Sequence, residues 1–318
     1  AQWRWALQFL RNCTPARFRA NAARLVRLGQ YSRASLRALR EETGLKYDQV
    51  ARGILVLYTE GRKFEPGMKT PDECVAIEPA LASLRHRLTG GRYFPDDESG
   101  DAYKFTTELA KLCVAKGVRF DFDVDIKGFS VESEKISNVN IQRTNSSPET
   151  LRADAYVLAL GSYSPLLAGP LGIDLPIYPL KGYSVTMPVK NPAAAWNVSL
   201  SDEAHKLVLS RLGERLRIAG TAELNGYNTE INQVRCEAIV KRTMDLFPDA
   251  GEPSKAEFWT GLRPATPSNI PCIGRTKYPN LYLNTGHGTL GWTHACGSGR
   301  ILADLVSGRR PEVEIASA

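Results

Sequence analysis

The chain has 318 residues, of which 43% are hydrophobic and 24% are charged, and this composition excludes a disordered, collagen-like or disulfide-scaffold protein. Its formal net charge is +7, and its six cysteines are widely spaced, with no Cys-x-x-Cys pair that would indicate a metal site. The cysteines therefore indicate reduced thiols in a cytoplasmic protein. No apolar run in the sequence is long enough to cross a bilayer, and the first residues lack the layout of a signal peptide.

The positive charge is concentrated in the first 40 residues. This segment contains nine arginines and no acidic residue, so the rest of the chain carries a net negative charge. Trp3 and several leucines recur at helical spacing between the arginines, and Gly44 follows as a C-cap, which predicts amphipathic helices. We expect the arginines to form a solvated helix face, with attachment to the inner face of the plasma membrane as the alternative. Nucleic acid is not an expected partner, because no nucleic-acid-binding motif accompanies the arginines.

The middle of the chain alternates between strand and helix patterns. Residues Ser99, Gly100 and Asp101 offer an N-cap for the helix pattern that follows them, and Gly117 ends that helix. Strand patterns are expected at 53–59, at 118–124, in a hairpin over 129–143, and at 155–161. A helix, a strand, a β-meander and a buried strand ending in glycine are typical of half of a nucleotide-binding α/β domain.

The last part of the chain predicts antiparallel strands followed by helices. Residues 177–224 contain three strand patterns separated by turns, and an amphipathic helix follows over 231–247. The apolar strand LYLNTG then leads to a closing helix over 292–306.

A glycine motif connects this last strand to the last helix. Residues 286–291 match the dinucleotide-binding pattern G-x-G-x-x-G. A complete fingerprint also needs a second parallel strand that ends in an acidic residue, and the residues after the helix provide none. We therefore expect a glycine turn that brings the N–H groups of a helix start close to some other anionic group.

Several segments carry a family resemblance, and the most specific are GLRPATP and TGHGTLGWT. The resembling segments are residues 11–48, 92–105, 179–186, 211–224, 261–274 and 280–311. They resemble the D-amino acid dehydrogenases of the FAD-dependent D-amino acid oxidase and glycine oxidase superfamily over nearly the whole chain. The resemblance implies an α/β and α+β fold, with a Rossmann-like FAD-binding domain of the glutathione-reductase-2 type and an antiparallel-sheet substrate domain.

The resemblance also implies how the two domains divide the chain. The substrate domain is expected at 1–85 and 166–255, and the FAD-binding domain at 86–165 and 256–318. The family's N-terminal FAD-binding βαβ unit has no counterpart in this sequence, so the FAD-binding domain is expected to be incomplete at its N-terminus.

The implied activity is oxidation of a D-amino acid such as D-alanine at Cα. Hydride passes to flavin N5, the imino acid is hydrolysed to a 2-oxo acid and ammonia, and the electrons pass to a quinone or another carrier. Three alternatives remain open. These are a glycine or sarcosine oxidase that uses dioxygen, a non-catalytic fragment that cannot hold FAD, and a membrane-surface adaptor that acts through the arginine-rich helices.

The resemblance assigns roles to individual residues. Arg263 matches the family position that binds the substrate carboxylate, for which the two parallel donors of a guanidinium are suited. Tyr183 either borders the substrate pocket or packs within its strand. The implied FAD contacts are Val124, Gly161, Ser162, Gly288, Thr289, Leu290, Gly291, Trp292 and Thr293. We expect His287 and His294 to be hydrogen-bonding loop residues without an acid–base role.

Overall fold

A computed structural model describes residues 2–59 and 63–314. Its α-helices are α1 (Gln2–Asn12), α2 (Pro15–Thr43), α3 (Pro71–Ile77), α4 (Ala102–Ala115), α5 (Ser164–Ala168), α6 (Gln233–Leu246) and α7 (Gly291–Val306). Short 3-10 helices cover Pro79–Arg87, Gly161–Tyr163, Gly169–Leu171, Pro253–Lys255 and Gly288–Leu290. The first seven strands are β1 (Ile54–Thr59), β2 (Leu88–Phe94), β3 (Val124–Glu132), β4 (Lys135–Arg143), β5 (Glu149–Leu151), β6 (Tyr156–Leu158) and β7 (Tyr178–Pro188). The other strands are β8 (Ser199–Asp202), β9 (Leu207–Leu212), β10 (Arg215–Glu223), β11 (Glu257–Ala265), β12 (Cys272–Arg275) and β13 (Leu281–Thr285).

The arginine-rich segment forms two helices because an N-cap and a proline begin a new helix within it. Thr14 is extended, and its side chain accepts a hydrogen bond from the backbone N–H of Arg17, while Pro15 fits the first position of α2. Gly44 ends α2 with φ of 67°, so the predicted C-cap is confirmed. Among the described residues, no helix has the length and hydropathy of a membrane span.

A seven-stranded sheet dominates the fold, with the strand order β11-β7-β10-β9-β8-β1-β2. All neighbouring strands are antiparallel except β1 and β8, which are parallel. One face of this sheet packs against α6 and forms the largest apolar cluster, which includes Val185, Trp196, Leu209 and Ile218. The predicted antiparallel sheet over 177–224 is therefore confirmed.

Two smaller sheets lie together beside the large one. In the sheet β12-β13-β6, β13 and β6 run parallel, and β3-β4-β5 forms an antiparallel meander. Tyr156 and Leu283 of the first sheet share an apolar cluster with Ile136 of the second. The Asn280 side chain also exchanges two hydrogen bonds with the backbone of Ile136, at 2.9 and 3.0 Å. This arrangement confirms the mixed α/β class.

Helix α7 follows β13 and packs against α2 at a point where both helices have small residues. The backbone N–H of Gly297 donates to the Ser32 hydroxyl at 3.0 Å, and a Cβ at Gly297 would lie 2.9 Å from the Ser32 Cα. The two helix backbones can therefore approach closely only because position 297 is a glycine.

The structure differs from one predicted strand. Residues 118–123 form no strand, and β3 begins only at Val124. The predicted domain boundaries at 85/86 and 255/256 separate β2 and β11 from the sheet to which both strands belong. Helix α2 also contacts α7 of the predicted FAD-binding domain. The division into two domains stays a prediction, and its ends at residues 1 and 318 lie outside the described residues.

Candidate active site

The candidate site lies on the face of the large sheet opposite the apolar cluster, over strands β7 and β11. Gly182 pairs with Gly261 across these strands, and Ser184 pairs with Trp259. Directly paired residues of antiparallel strands point to the same face. Because Arg263 is two residues beyond Gly261, its side chain projects from this face as well.

Arg263 extends across β7 to reach the neighbouring strand β10. Its guanidinium lies against Gly182, where a Cβ would overlap it. Its Nη1 donates to the carbonyl oxygen of Thr221 at 3.0 Å. Thr221 has φ of 57° at a bulge in β10, a left-handed conformation that is costly for a β-branched residue. The glycine and the bulge therefore fix the position of this guanidinium.

The charge of Arg263 has no counterion in the described part of the chain, since no carboxylate there forms an ion pair with it. Burial lowers the pKa of the guanidinium from its ordinary value. An arginine nevertheless stays protonated in proteins. The site thus holds a desolvated, fixed positive charge that a carboxylate ligand would neutralise.

Arg263 borders a cavity of about 270 Å³. Its other lining residues are Gly182, Tyr183, Ser184, Arg217, Ala219, Trp259, Gly261 and Leu262. The Arg217 guanidinium lies 5.8 Å from the centre of the Trp259 ring and donates to the Ser184 hydroxyl at 3.3 Å.

Sequence reasoning missed Gly182, Arg217 and Trp259. The alternation of side chains along a strand could have indicated the tryptophan, because FWTGLRP read as a strand places Trp259, Gly261 and Arg263 on one face.

Tyr183 borders the cavity, but the alternation of β7 directs its side chain to the opposite face. The side chain is 1% exposed and belongs to the apolar cluster of the large sheet. Its hydroxyl donates to Glu223, and burial together with this carboxylate raises the pKa of Tyr183. The structure thus favours the packing alternative, and contact of its hydroxyl with substrate stays a prediction without geometric support.

Two glycine turns lie against the last residues of β11. Gly161 and Gly288 both have φ of 54°, a conformation that favours glycine. A Cβ at Gly161 would lie 3.8 Å from the Pro264 side chain, and one at Gly288 would lie 3.9 Å from the Ala265 Cα. The structure therefore brings the predicted cofactor contacts from two distant parts of the sequence to the strand that carries the arginine.

Ser162 holds the first of these turns against β11. Its hydroxyl donates to the Leu262 carbonyl at 3.1 Å, while its own carbonyl accepts from the Tyr227 hydroxyl at 3.0 Å. Thr285 donates to the Gly161 carbonyl at 3.0 Å and so joins this turn to β13. The hydroxyl of Ser162 thus already has a protein acceptor.

The start of α7 provides backbone donors rather than side chains. No side chain caps this helix. The Trp292 indole packs edge to face with Tyr47 and Phe105. Leu290, Trp292 and Thr293 line a cavity of about 550 Å³. Thr289 and Thr293 are exposed. Glycine turns with left-handed backbone beside an uncapped helix start fit the negatively charged pyrimidine edge of a reduced flavin.

Val124 lies apart from these residues. It begins β3 and lines a separate open cavity of about 550 Å³ with Asp123, Asp125, Gln142 and Arg143 among its neighbours. That cavity shares no lining residue with the one around Arg263. A contact between Val124 and FAD stays a prediction.

The two histidines near the glycine turn are packed against protein groups. His287 Nε2 lies 2.9 Å from the Ser298 hydroxyl. Burial, with a smaller effect of His294, lowers the pKa of His287 to about 4. Burial also lowers the pKa of His294. Neither histidine lines the Arg263 cavity.

Comparison with known proteins identifies the family. The profile of the DAO family, described as FAD dependent oxidoreductase, matches residues 4–305. D-amino acid dehydrogenase from Dechloromonas aromatica is 52% identical over 332 residues, which cover 99% of this chain and 79% of that protein. D-amino acid dehydrogenase from Paramagnetospirillum magneticum is 52% identical over 324 residues, which cover 97% of this chain and 76% of that protein.

Solved structures have the same fold at lower identity. Glycine oxidase from Geobacillus kaustophilus superimposes with a TM-score of 0.78 at 24% identity, covering 92% of this chain and 82% of that one. L-proline dehydrogenase from P. horikoshii gives a TM-score of 0.77 at 19% identity, and the match covers 91% of this chain and 80% of that one. These structural similarities agree with the profile match and with the identity to the two D-amino acid dehydrogenases. The profile match and that identity show that the chain belongs to the DAO family of FAD-dependent oxidoreductases.

Proposed function

We propose that this chain is an FAD-dependent D-amino acid dehydrogenase that oxidises its substrate at Cα. The product imino acid then hydrolyses to a 2-oxo acid and ammonia. The identity of about half of all positions to two proteins named D-amino acid dehydrogenase supports this substrate class. FAD, when bound, supplies the acceptor for the hydride that leaves Cα.

The observation that carries the proposal is the unpaired guanidinium of Arg263 in its cavity. A free amino acid presents a carboxylate, and a fixed guanidinium can hold both of its oxygens. Because Gly182 and Thr221 fix the guanidinium, little conformational entropy remains to be lost on binding. Arg263 would therefore fix the orientation of Cα relative to the rest of the cavity.

We assign the cofactor-binding role to backbone groups at the two glycine turns and at the start of α7. Their donors would face the part of the flavin on which negative charge develops. Burial keeps His287 and His294 neutral near pH 7, and both lie outside the cavity, so we assign no proton transfer to them. The amine would lose its proton to solvent before oxidation.

The test is an assay of the FAD-loaded chain with D-alanine, L-alanine and glycine, using either an artificial dye or dioxygen as the acceptor. We expect D-alanine to reduce the dye, with L-alanine inactive and dioxygen a poor acceptor. Faster oxidation of glycine with dioxygen would favour the oxidase alternative. A chain that retains no FAD would favour the non-catalytic alternative.

We also propose that the arginine-rich helices attach the protein to the inner face of the plasma membrane, where a quinone could accept the electrons. Trp3 is 85% exposed, and Leu7 and Leu10 are exposed on the same face of α1. Arg17 and Arg19, on the adjoining turn of α2, form no ion pair within the described residues. Exposed apolar groups beside unpaired arginines suit an anionic lipid surface.

Sedimentation with vesicles tests this attachment. Binding is expected to anionic vesicles and not to zwitterionic ones, and to weaken at high salt. Changing both Arg17 and Arg19 to Gln should weaken it further. Changing the exposed Lys116 and Lys241 to Gln removes the same charge elsewhere and should have a smaller effect. Equal effects of the two double variants would argue against a specific surface.

A further inference from the structure

The cavity beside Arg263 has a second wall that carboxylate binding does not use. We propose that Trp259, held by Arg217, forms the subsite for the substrate side chain, which accepts apolar side chains and disfavours cationic ones. This inference rests on the proposed function, since it takes a D-amino acid bound through Arg263 as its starting point.

Trp259 is large, accessible and held in one orientation. Its indole is 57% exposed although it lines a cavity, and it lies over Gly261, where a Cβ would overlap the ring. Arg217 lies against the same indole and also donates to Ser184. A tryptophan fixed between a glycine and a guanidinium loses little freedom when an apolar group packs against it.

The Trp259 indole is placed to contact the side chain of a substrate whose carboxylate binds Arg263. Directly paired residues of antiparallel strands have their Cβ atoms about 5 Å apart. The Arg263 guanidinium covers Gly182, and the Trp259 ring covers Gly261, its direct partner on the neighbouring strand. A ligand of amino acid size can therefore place its carboxylate at Arg263 and its side chain against Trp259.

The charge of the cavity determines which side chains fit. Arg217 and Arg263 form no ion pair with a carboxylate of the described residues. The substrate carboxylate neutralises one of these charges and leaves the other beside the subsite. An ammonium or guanidinium on the substrate side chain would be repelled by Arg217 at short range.

The test is the ratio of kcat/KM values for D-phenylalanine, D-lysine and D-alanine. Trp259→Ala should lower the ratio of D-phenylalanine to D-alanine about three- to tenfold, because the ring contact is lost. Trp259→Phe should restore part of this ratio. Tyr103→Ala removes an exposed aromatic ring outside the cavity and should leave the ratio as in the wild type.

Arg217 is tested through its charge. Arg217→Gln should raise kcat/KM for D-lysine relative to D-alanine, whereas Arg217→Lys keeps the charge and should not. A uniform loss for all three substrates in the Trp259 and Arg217 variants would overturn the proposal, since it would indicate a structural role alone.

A binding measurement separates this proposal from the proposed function. Calorimetric titrations with 3-phenylpropionate and propionate need no turnover and no tryptophan as the reporter. Tighter binding of 3-phenylpropionate that Trp259→Phe retains and Trp259→Ala removes would support the subsite. Equal binding of the two acids by the wild type would overturn it. A wild-type chain that oxidises no D-amino acid would instead overturn the proposed function.

Discussion

The guanidinium of Arg263 lies against the Cα of Gly182, in space that any other residue at position 182 would fill. The two residues come from strands β11 and β7, and their contact lets the arginine reach the carbonyl of Thr221 on β10. The absence of a side chain at position 182 thus determines where the positive charge of the site lies.

This contact predicts the effect of Gly182→Ala. The new methyl group should displace the guanidinium and raise KM for D-alanine about tenfold, equivalent to about 1.4 kcal/mol. Gly169→Ala is the control, because a Cβ at Gly169 meets no atom within 4 Å. Steady-state kinetics of both variants would measure the effect, and an unchanged KM in Gly182→Ala would show that the contact does not position the arginine.

Tyr183→Phe separates packing from catalysis. The loss of the hydrogen bond to Glu223 should lower the free energy of unfolding by about 1 kcal/mol. We expect kcat and KM to change little, because the hydroxyl lies on the face away from the cavity. Tyr103→Phe, at an exposed tyrosine, is the control. A large fall in kcat with unchanged thermal stability would instead favour the catalytic alternative.

The close approach of α2 and α7 predicts the effect of Gly297→Ala. A methyl group there would press on Ser32, and the expected loss of stability is about 1–3 kcal/mol. Because α7 carries the proposed cofactor donors, FAD affinity should fall with it. Gly299→Ala lies on the same helix with nothing within 4 Å and should be neutral or stabilising. Denaturant unfolding would compare them, and similar stabilities of the two variants would contradict close packing.

The buried histidines predict a loss of stability in acid. The folded state holds the pKa of His287 at about 4, below its ordinary value of 6.5, so the unfolded chain binds a proton that the folded chain does not. The contribution of His287 is therefore present above pH 6.5 and is lost as the pH falls from there toward 4. At pH 5 the loss is about 2 kcal/mol.

Urea unfolding at pH 7 and pH 5 measures this difference. His287→Gln should reduce the loss between the two pH values, whereas His86→Gln, at an exposed histidine, should not. The same pH dependence in wild type and His287→Gln would assign the acid sensitivity to other groups.

The sequence was informative where a local signal determines the local structure. Gly44 and Asp101 end and begin helices because their caps act within a few residues. The parallel pairing of β1 with β8 joins residues far apart in the chain, and no local pattern indicates it. Residues 118–123 have the composition of a strand, but no neighbouring strand pairs with them.

In the candidate site, too, some features follow from local motifs and others depend on contacts between distant parts of the chain. Arg263 and the glycine turns could be proposed as site residues because their motifs are specific. The face of Tyr183 depends on the register of β7 against β10 and β11, which the sequence does not give. The contact of Arg217 on β10 with Trp259 on β11 crosses the intervening strand β7, so it could be known only from the order of the strands in the sheet.

The most direct test of the account compares D-alanine with D-alaninamide in the wild type and in Arg263→Gln. The amide lacks the carboxylate, so the wild type should strongly prefer D-alanine. Arg263→Gln should lose about 2–4 kcal/mol of binding for D-alanine and much less for the amide. An equal loss of kcat/KM for both compounds would contradict the assignment of Arg263 as the residue that binds the substrate carboxylate.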